Sequence, residues 1–586
     1  MKHIITLSTV FLSALCAQAV DYNLVGSDDE ANPLMFSSGA VRTTGGETAT
    51  PTTSDRLLWR GTWSTSKRND AYLAVDADSS FSAERIMVSG TGGQYSDLNL
   101  KFENNSQLSL YSSLDFNGTA YAIDMNFYTA AGATAKINFL TDFATTLATT
   151  NTVNRNVIFG SGLTVSVARN VGVTGAVGGG ALTVNCDWTT TGTTRFTDGT
   201  VNINGKYSGI AAATLSNVAL NVAGSFSSGA VTATDTTLAL SEGATFSSTS
   251  SLTTAGASAL TVAKGATLSS AGSMTIGSLS ALNLNGTLNV GNNLLFEKDT
   301  TSTADVTIGS EAVITAKSFR TRQTKLILTS GSQMTLDNDT GTISFVNAGN
   351  GSVVESGSTL TINTSNSEIQ SIANHANLII NGKLNVNGGK YIATSNGGII
   401  INSANNTVTG THFALGNNSD LGNGKLTINA DNDFSSSALL VSKNYSDTAT
   451  ANFIIGANAN VKMAGLAFYV STDLINLNIT LGENSRLALV DFISGEAMSG
   501  YGAMEDGDLI TITNFAEKTI SIKNHTANDD ALLSKVSVSG VDQLYWNFDG
   551  ENNVYWLSAI AVPEPAEWAA VFGALALATA IYRRRK

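Results

Sequence analysis

The chain has 586 residues and a formal net charge of −14, with 46 Asp and Glu against 32 Lys and Arg. This acidic balance argues against nucleic acid or a bare anionic membrane surface as a partner. Charged residues make up only 13% of the chain and apolar residues 42%, which is too apolar for a disordered chain. The composition therefore predicts an ordered protein that buries apolar side chains in a simple, repeated pattern.

The N-terminus has the three parts of a secretory signal peptide. Lys2 supplies the positive region, residues 4–15 form the apolar core, and Ala17 and Ala19 give the small-x-small pattern that signal peptidase reads. We predict cleavage after Ala19, which assigns residues 1–19 to the signal peptide and exports everything that follows.

Cys186 is the one cysteine left after that cleavage, so an intramolecular disulfide is excluded. It alternates in phase with Leu182 and Val184. This pattern predicts a buried, small apolar residue rather than a reactive thiol.

Residues 20–120 are richer in charge and aromatic side chains than the region that follows, and include Trp59 and Trp63. We predict that they form an N-terminal β cap and the first coils of a repeat structure. The open edge of a terminal coil has to be covered.

Residues 121–490 carry a repeat of roughly 22 residues in which a glycine precedes a short alternating strand. A second short strand precedes most of these glycines. The clearest examples start at Gly205, Gly224, Gly243, Gly265, Gly286, Gly309, Gly331, Gly357 and Gly382. Such a period, with short alternating strands and Gly or Asn corners, indicates the coils of a right-handed parallel β-helix, an all-β solenoid.

Two further features of this region fit coils that are hydrogen-bonded above and below. Between Pro51 and Pro563 there is no proline, which would break a ladder. Charges are sparse, as expected where equivalent positions stack about 4.8 Å apart. A β-sandwich array and an irregular β-roll remain the alternative folds. The strand-Gly-strand pattern is similar to that of autotransporter passenger domains, a resemblance that implies fold only.

Residues 491–561 are predicted to form a C-terminal β cap. Asp549-Gly550 is a turn signal between two aromatic strands within residues 544–557, which predicts a hairpin. The Trp and Tyr side chains of this hairpin suit either a cap core or a platform on which a sugar stacks.

We predict no catalytic residue, metal site or cofactor. His375, His412 and His525 stand outside any metal-ligand spacing and are interpreted as lone surface histidines. The acidic clusters suit turns, Ca²⁺ binding or acid–base chemistry on a glycan, and turn formation is favoured. These clusters are 28–30, 337–339, 431–433 and 505–508.

Residues 562–586 form a tail with three parts in a fixed order. The first is a box of Val562, Pro563, Glu564 and Pro565, the second an apolar run over 568–582, and the third the cations Arg583, Arg584, Arg585 and Lys586. We predict a single hydrophobic helix that spans the membrane. Its apolar run would be roughly 22 Å long, short for a bilayer core of about 30 Å unless flanking residues and local thinning make up the difference. The cations should stay on the cytoplasmic side.

This tail resembles the PEP-CTERM sorting signal of Gram-negative-type bacteria that make extracellular polysaccharide. The resemblance covers residues 562–586 only, and the four box residues match the family residue for residue. It implies that a membrane-embedded exosortase, a cysteine transpeptidase, recognises the box, cuts near it and passes the body to the cell surface. The alternative is a plain C-terminal anchor helix with a stop-transfer cluster.

Together these features predict a bacterial protein that is exported by signal peptidase, anchored by its tail until exosortase processing, and then placed on the cell surface or in the extracellular matrix. We expect a structural or adhesive role, with extracellular polysaccharide or surface glycan as the partner. The alternatives are a glycan-binding adhesin with a defined aromatic site and a β-helix polysaccharide lyase or hydrolase.

Overall fold

A computed structural model describes most of the chain, and the described residues fall into two compact units, one up to residue 270 and the other from residue 271. The described ranges are 21–43, 46–52, 55–59, 71–89, 97–117, 123–147, 155–175, 180–277, 281–297, 305–322, 324–339, 343–346, 351–366, 372–374, 377–394, 398–416, 424–441, 450–469, 475–493, 501–561 and 565–584.

The strands of each unit follow one rule. Successive short strands mostly lie in three different sheets, and most strands pair in parallel with the third strand further along the chain. Tyr501–Gly502 is an exception, since it runs antiparallel to Leu466–Tyr469. In the first unit, Thr200 pairs with Ala219, which in turn pairs with Thr237. We call the three sheets faces 1, 2 and 3. The predicted all-β class with long parallel sheets is confirmed, and parallel ladders distinguish the fold from the antiparallel sandwich.

In the first unit, face 1 is the longest of the three sheets. Its strands are Leu34–Met35, Ala71–Val75, Leu98–Phe102, Ile123–Thr129, Arg155–Phe159, Ala181–Val184, Thr200–Ile203, Ala219–Val222, Thr237–Leu240 and Ala259–Val262. The strands of face 2 are Ser80–Ala83, Gln107–Leu110, Ala135–Phe139, Leu163–Val167, Asp187–Thr190, Lys206–Gly209, Ser225–Ser228, Thr245–Ser248 and Thr267–Ser270.

Face 3 of the first unit contains Phe143–Thr146, Val171–Thr174, Thr194–Thr197, Ala213–Ser216, Val231–Thr234 and Leu252–Ala255. In the earliest coils a separate five-stranded sheet takes the third position, and within it Val41–Arg42 runs antiparallel to Asp21–Leu24. The other strands of that sheet are Arg56–Trp59, Arg85–Ser89 and Leu114–Asn117, and the first unit also has a 3₁₀ helix at Phe36–Ser38.

In the second unit, face 1 continues to Val536–Val538. Its strands are Ala281–Leu284, Val306–Ile308, Leu326–Leu328, Ser352–Val354, Leu378–Ile380, Gly398–Ile401, Lys425–Ile428, Thr450–Ile455, Asn476–Leu481, Leu509–Thr513 and Val536–Val538. The strands of face 3 are Met274–Gly277, Asn293–Glu297, Ser318–Arg322, Ser344–Val346, Ile372–Asn374, Tyr391–Thr394, His412–Leu415, Leu439–Val441, Leu466–Tyr469 and Tyr501–Gly502.

Face 2 of the second unit is built in two parts. The first part contains Thr287–Val290, Val313–Ala316, Gln333–Asp337, Thr359–Asn363, Lys383–Asn387 and Thr407–Thr409. A six-stranded sheet follows, in the order Asn432–Phe434, Asn460–Met463, Arg486–Asp491, Ile520–Asn524, Val554–Ser558 and Tyr545–Asp549. Its last two strands form the predicted hairpin, here called the cap hairpin, and run antiparallel. The helices are α1 (Ala527–Leu532), a 3₁₀ turn at Leu533–Lys535, and α2 (Pro565–Arg584).

Alternation along the strands explains where the core lies. In Thr200–Ile203 the side chains of Val201 and Ile203 are buried, while those of Thr200 and Asn202 face outward. Successive strand residues point to opposite sides of a sheet, so each coil buries one apolar set and displays one polar set.

The corners between strands use residues that tolerate a positive φ. Asp198, Asn217 and Asp235 lie at φ 56°, 52° and 51°, and the Asn217 amide donates a hydrogen bond to the Asp198 carboxylate. Gly243 and Gly265 adopt φ 75° and 72° in the predicted glycine corners. A side chain at such an angle is strained unless it is glycine or a short polar residue that bonds locally.

Candidate functional site

Of the residues predicted for signal cleavage and sorting, the structure describes only three, Pro565, Arg583 and Arg584, and all of them lie in the tail. Pro565 is the first residue of α2, a position that suits proline because its fixed φ is already helical. Arg583 and Arg584 lie in the last turn, where cations complement the helix dipole. The remaining predicted site residues lie outside the described residues: Ala17, Ala19, Val562, Pro563, Glu564, Arg585 and Lys586.

The described side chains of α2, from Ala569 to Arg584, are all exposed. They include large apolar residues such as Phe572, Leu575 and Leu577, each more than half exposed. A helix is present in the tail, at Pro565–Arg584. Within the described part of the chain, however, no helix has both the length and the apolar character needed to cross a membrane.

Just before the tail, a short segment of the chain has its backbone held by side chains. The Glu517 carboxylate accepts a hydrogen bond from the Ala559 amide at 2.9 Å. The Asn547 side-chain amide donates to the Ile560 carbonyl at 2.7 Å. The buried Ser558 hydroxyl also bonds the Ile560 amide, at 3.0 Å, and its carbonyl, at 2.9 Å. We call Glu517, Asn547 and Ser558 the exit clamp.

The aromatic residues of the cap hairpin divide between core and surface. Trp546 is buried against Phe492, with ring centroids 5.3 Å apart, and its indole N–H points at the Asp529 carbonyl. Phe548 is 54% exposed and lies 5.0 Å from the Tyr555 ring. Tyr555 in turn stacks on His525 at 4.3 Å. The hairpin thus has one ring packed in the interior and a small exposed aromatic surface.

Asp549 organises the hairpin turn. Its carboxylate accepts hydrogen bonds from the Asn552 amide group, the Trp556 indole and the Glu551 backbone. These donors, Asn552 first, lower the pKa of Asp549 to about 2. The carboxylate stays ionised and serves the turn.

The acids of 337–339 and 431–433 are engaged in contacts between coils. Asp337 accepts a hydrogen bond from Asn363 at 2.9 Å. Asp431 accepts from the Asn460 backbone and side chain at 2.7 and 3.0 Å, which lowers its pKa. Asp433 has a lowered pKa through Ser435 and then Lys462, whose ammonium is 2.9 Å away. Their geometry is that of structural turns.

The cluster 505–508 is also held internally. Asp508 is buried and accepts hydrogen bonds from the Ile475 and Glu505 amides at 3.0 and 2.8 Å. The Lys535 ammonium bonds the carbonyls of Met504 and Glu505 at 3.1 and 2.6 Å. A protein cation thus occupies this loop. In the 28–30 cluster, Asp29 accepts from Asn32 and Ala31 within its own turn.

The histidines and the cysteine also have structural surroundings. His412 accepts the Ala438 amide at 3.1 Å, and His525 lies 3.1 Å from Asp530, while His375 falls outside the described residues. Among the residues that the structure describes, no group of three His, Cys, Asp or Glu could hold a metal ion. Cys186 is buried as predicted, and burial raises the pKa of its thiol to about 12.

Two features escaped the sequence reasoning. The first is that the residue after a turn glycine is buried and small, as at Ala244, Ala266, Ser332 and Ser358. The small residue next to each aligned glycine was the sequence signal that could have predicted this burial.

The second feature is a buried amide pair. Asn432 accepts hydrogen bonds from the backbone and side chain of Asn406 at 3.0 and 3.1 Å. Asparagine is so common at corners that its sequence pattern carried no signal for the interior.

The chain was compared with models of known protein families, with curated proteins and with solved structures, and none of the three comparisons found a match. The sorting-signal resemblance therefore rests on the tail residues themselves.

Proposed function

We propose that this is an exported bacterial protein which an exosortase-type transpeptidase sorts through its tail to the cell surface or extracellular matrix. Its role there is structural or adhesive, with no catalytic step. The observation that carries the proposal is the ordered tail, in which the last proline of the Pro-Glu-Pro box, Pro565, begins a helix that ends in cations.

The surroundings of the tail support this proposal. The described side chains of α2 are apolar over most of their length and exposed, so water is a poor solvent for this helix. A membrane, entered with the help of the flanking residues, and an enzyme embedded in it would cover such a surface until processing. The signal peptide proposed for residues 1–19 delivers the chain to that membrane.

The body suits a structural role. Its coils display amide and hydroxyl side chains in bonded rows, such as Asn185 with Asn204 and Asn381 with Asn402 and Asn429. Bonded rows of neutral groups offer many weak, repeated contacts to a polymer such as extracellular polysaccharide. We further propose that the coils wind right-handed, as parallel crossover connections almost always do.

Mass spectrometry of the mature termini tests the sorting proposal. We expect an N-terminus at Val20, and a C-terminus near Pro563–Pro565 only in cells that contain the exosortase. A Pro563→Ala, Glu564→Ala chain should keep its tail in those cells. An intact Lys586 both with and without the enzyme would reduce the tail to a plain anchor.

A glycan-binding role is a second candidate, and the exposed Phe548 beside Tyr555 favours it. Sugar rings stack on such surfaces through their C–H faces. A panel of glycans titrated against the protein and a Phe548→Ala variant tests this role. Loss of binding in the variant supports a defined site, and equal binding by both proteins refutes one at the hairpin.

A further inference from the structure

We propose that the exit clamp is a positioning device for processing: Glu517, Asn547 and Ser558 hold the segment just before the sorting box, so that the transpeptidase receives the box from a folded cap. This inference rests on the proposed sorting function. It adds residues of the folded body to a signal otherwise contained in the tail.

The clamp exists only when the cap is folded. Glu517 lies in the turn between Leu509–Thr513 and Ile520–Asn524, and it is 42 residues from the amide that it binds. Asn547 lies on the outer strand of the cap hairpin, 13 residues from its partner carbonyl. Ser558 pairs with Tyr545 in the hairpin register. Contacts between positions so far apart require that both the last coil and the hairpin have formed.

The clamp also sets how far the box can move from the body. Ile560 is held, and Pro563 follows three residues later. A fully extended chain spans at most about 3.3–3.6 Å per residue, so Pro563 stays within roughly 11 Å of Ile560 and Pro565 within roughly 18 Å. Pro565 then begins α2. The clamp on one side and the helix on the other therefore leave a short connecting segment for the enzyme.

A held segment should be processed faster than a free one. Fixing one residue of backbone costs about 1–2 kcal/mol of conformational entropy. Ala559 and Ile560 are already ordered by the folded cap, so the enzyme does not have to order them. If the enzyme binds the chain in the clamped conformation, part of this saving in entropy raises the rate of processing. We expect loss of the clamp to slow processing by roughly three- to tenfold.

The test is a pulse-chase measurement of tail removal in cells that contain the transpeptidase. We expect slower processing for Glu517→Ala and Asn547→Ala, and the largest effect for the double variant. Glu517→Gln keeps an oxygen acceptor for the Ala559 amide and should process nearly as fast as the native chain. Glu551→Ala removes an exposed carboxylate from the same cap, outside the clamp, and should process at the native rate.

Hydrogen exchange on the purified full-length chain provides a second readout. The Ala559 and Ile560 amides should be protected in the native chain, and Ala559 should lose protection in Glu517→Ala while the hairpin amides keep theirs. If Ala559 exchanges freely in the variant and processing stays at the native rate, the clamp has no positioning role. If the double variant unfolds the cap, the single Asn547→Ala variant and the Glu517→Gln rescue still decide the question.

Failure of the sorting proposal itself has a different signature. In that case the native chain keeps Lys586 in cells that contain the transpeptidase. The Pro563→Ala, Glu564→Ala chain and every clamp variant then also keep Lys586. Failure of the clamp alone leaves native processing intact and sensitive to the box, but insensitive to Glu517 and Asn547.

Discussion

The two compact units use the same succession of three faces but fill the interior of face 2 differently. In the first unit, Trp188, Tyr207, Phe226 and Phe246 occupy equivalent positions of successive coils and stack ring on ring. Their centroids are 6.2, 5.0 and 4.7 Å apart. In the second unit the equivalent positions hold aliphatic side chains: Leu288, Ile314, Met334, Leu360 and Leu384.

The second unit then replaces the aliphatic column with amides. The Leu384 amide donates to the side chain of buried Asn406, which bonds Asn432 in turn. The contrast shows that parallel pairing of successive coils sets only the distance between equivalent side chains in the interior. Aromatic rings, aliphatic side chains and hydrogen-bonded amides can each pack at that distance. The two units therefore differ in the side chains that fill the interior.

The largest expected effect comes from breaking the aromatic stack. Phe226→Ala removes a fully buried ring from between Tyr207 and Phe246 and should lower the free energy of unfolding by about 3–5 kcal/mol. Leu360→Ala is the matched change in the second unit and should cost about 2–5 kcal/mol. Denaturant titration followed by hydrogen exchange of peptides from each unit measures both.

A finer change isolates the stacking itself. Phe226→Leu keeps an apolar side chain and should still lose about 0.5–1.5 kcal/mol beyond its loss of buried area, because ring stacking is gone. If the loss equals that expected from area alone, the rings serve only to fill space.

The next largest effect concerns the buried amide pair. Asn432→Ala removes the acceptor of the Asn406 backbone amide and the side-chain donor to the Ala430 carbonyl, so it should cost about 1–3 kcal/mol for each group left unsatisfied. Asn387→Ala, which cuts an exposed row between Asn363 and Thr409, is the control and should stay within about 0.5 kcal/mol. Equal losses at the two sites would show that burial of the pair is unimportant.

Corner residues should matter less, and similarly in both units. Asn217→Ala in the first unit and Asn484→Ala in the second place an ordinary side chain at φ 52° and 54°, which costs about 1–2 kcal/mol. Glycine at either position removes that strain. Thermal melting of the Ala and Gly variants compares them, and a Gly variant as unstable as the Ala variant would contradict the argument.

The units should differ in their response to alkaline pH. Burial raises the pKa of Cys186 to about 12 and that of Tyr207 further, so their neutral forms stabilise the folded first unit. That stability is complete below the ordinary values of 9.0 and 10.0 and falls as the pH rises through the folded pKa, by roughly 1.4 kcal/mol per group and pH unit at most. Peptide-resolved hydrogen exchange from pH 8 to 11 should show the first unit loosening.

In the second unit, stability should fall at acidic pH. Asp431, Asp433 and Asp549 have lowered pKa values, so their contribution is present above the ordinary 3.8 and is lost as the pH falls through the folded values, near 2 for Asp549. Exchange of the hairpin amides between pH 5 and 2 measures this loss. A hairpin that is equally protected across that range would contradict the role of Asp549 in its turn.

Much of the fold was predictable because it depends on local patterns. Leu260, Val262 and Leu284 alternate with polar residues, and each lies buried in a face 1 strand, as that alternation requires. The turn signal at Asp549-Gly550 placed the cap hairpin correctly. The exit clamp could not be predicted in this way, since Glu517 and Asn547 meet the tail through contacts that no local pattern encodes.

The sequence by itself determined the strand alternation, the glycine corners, the burial of Cys186 and the order of the parts of the tail, because each depends on residues within a few positions of one another. Only the tertiary structure decided which side chains lie above one another in successive coils. It also decided that Asn406 and Asn432 face inward, and that the cap holds the chain at Ile560. The physical reason is that stacking joins residues about 18 to 39 positions apart, and coil lengths that vary within this range hide the register until the chain is folded.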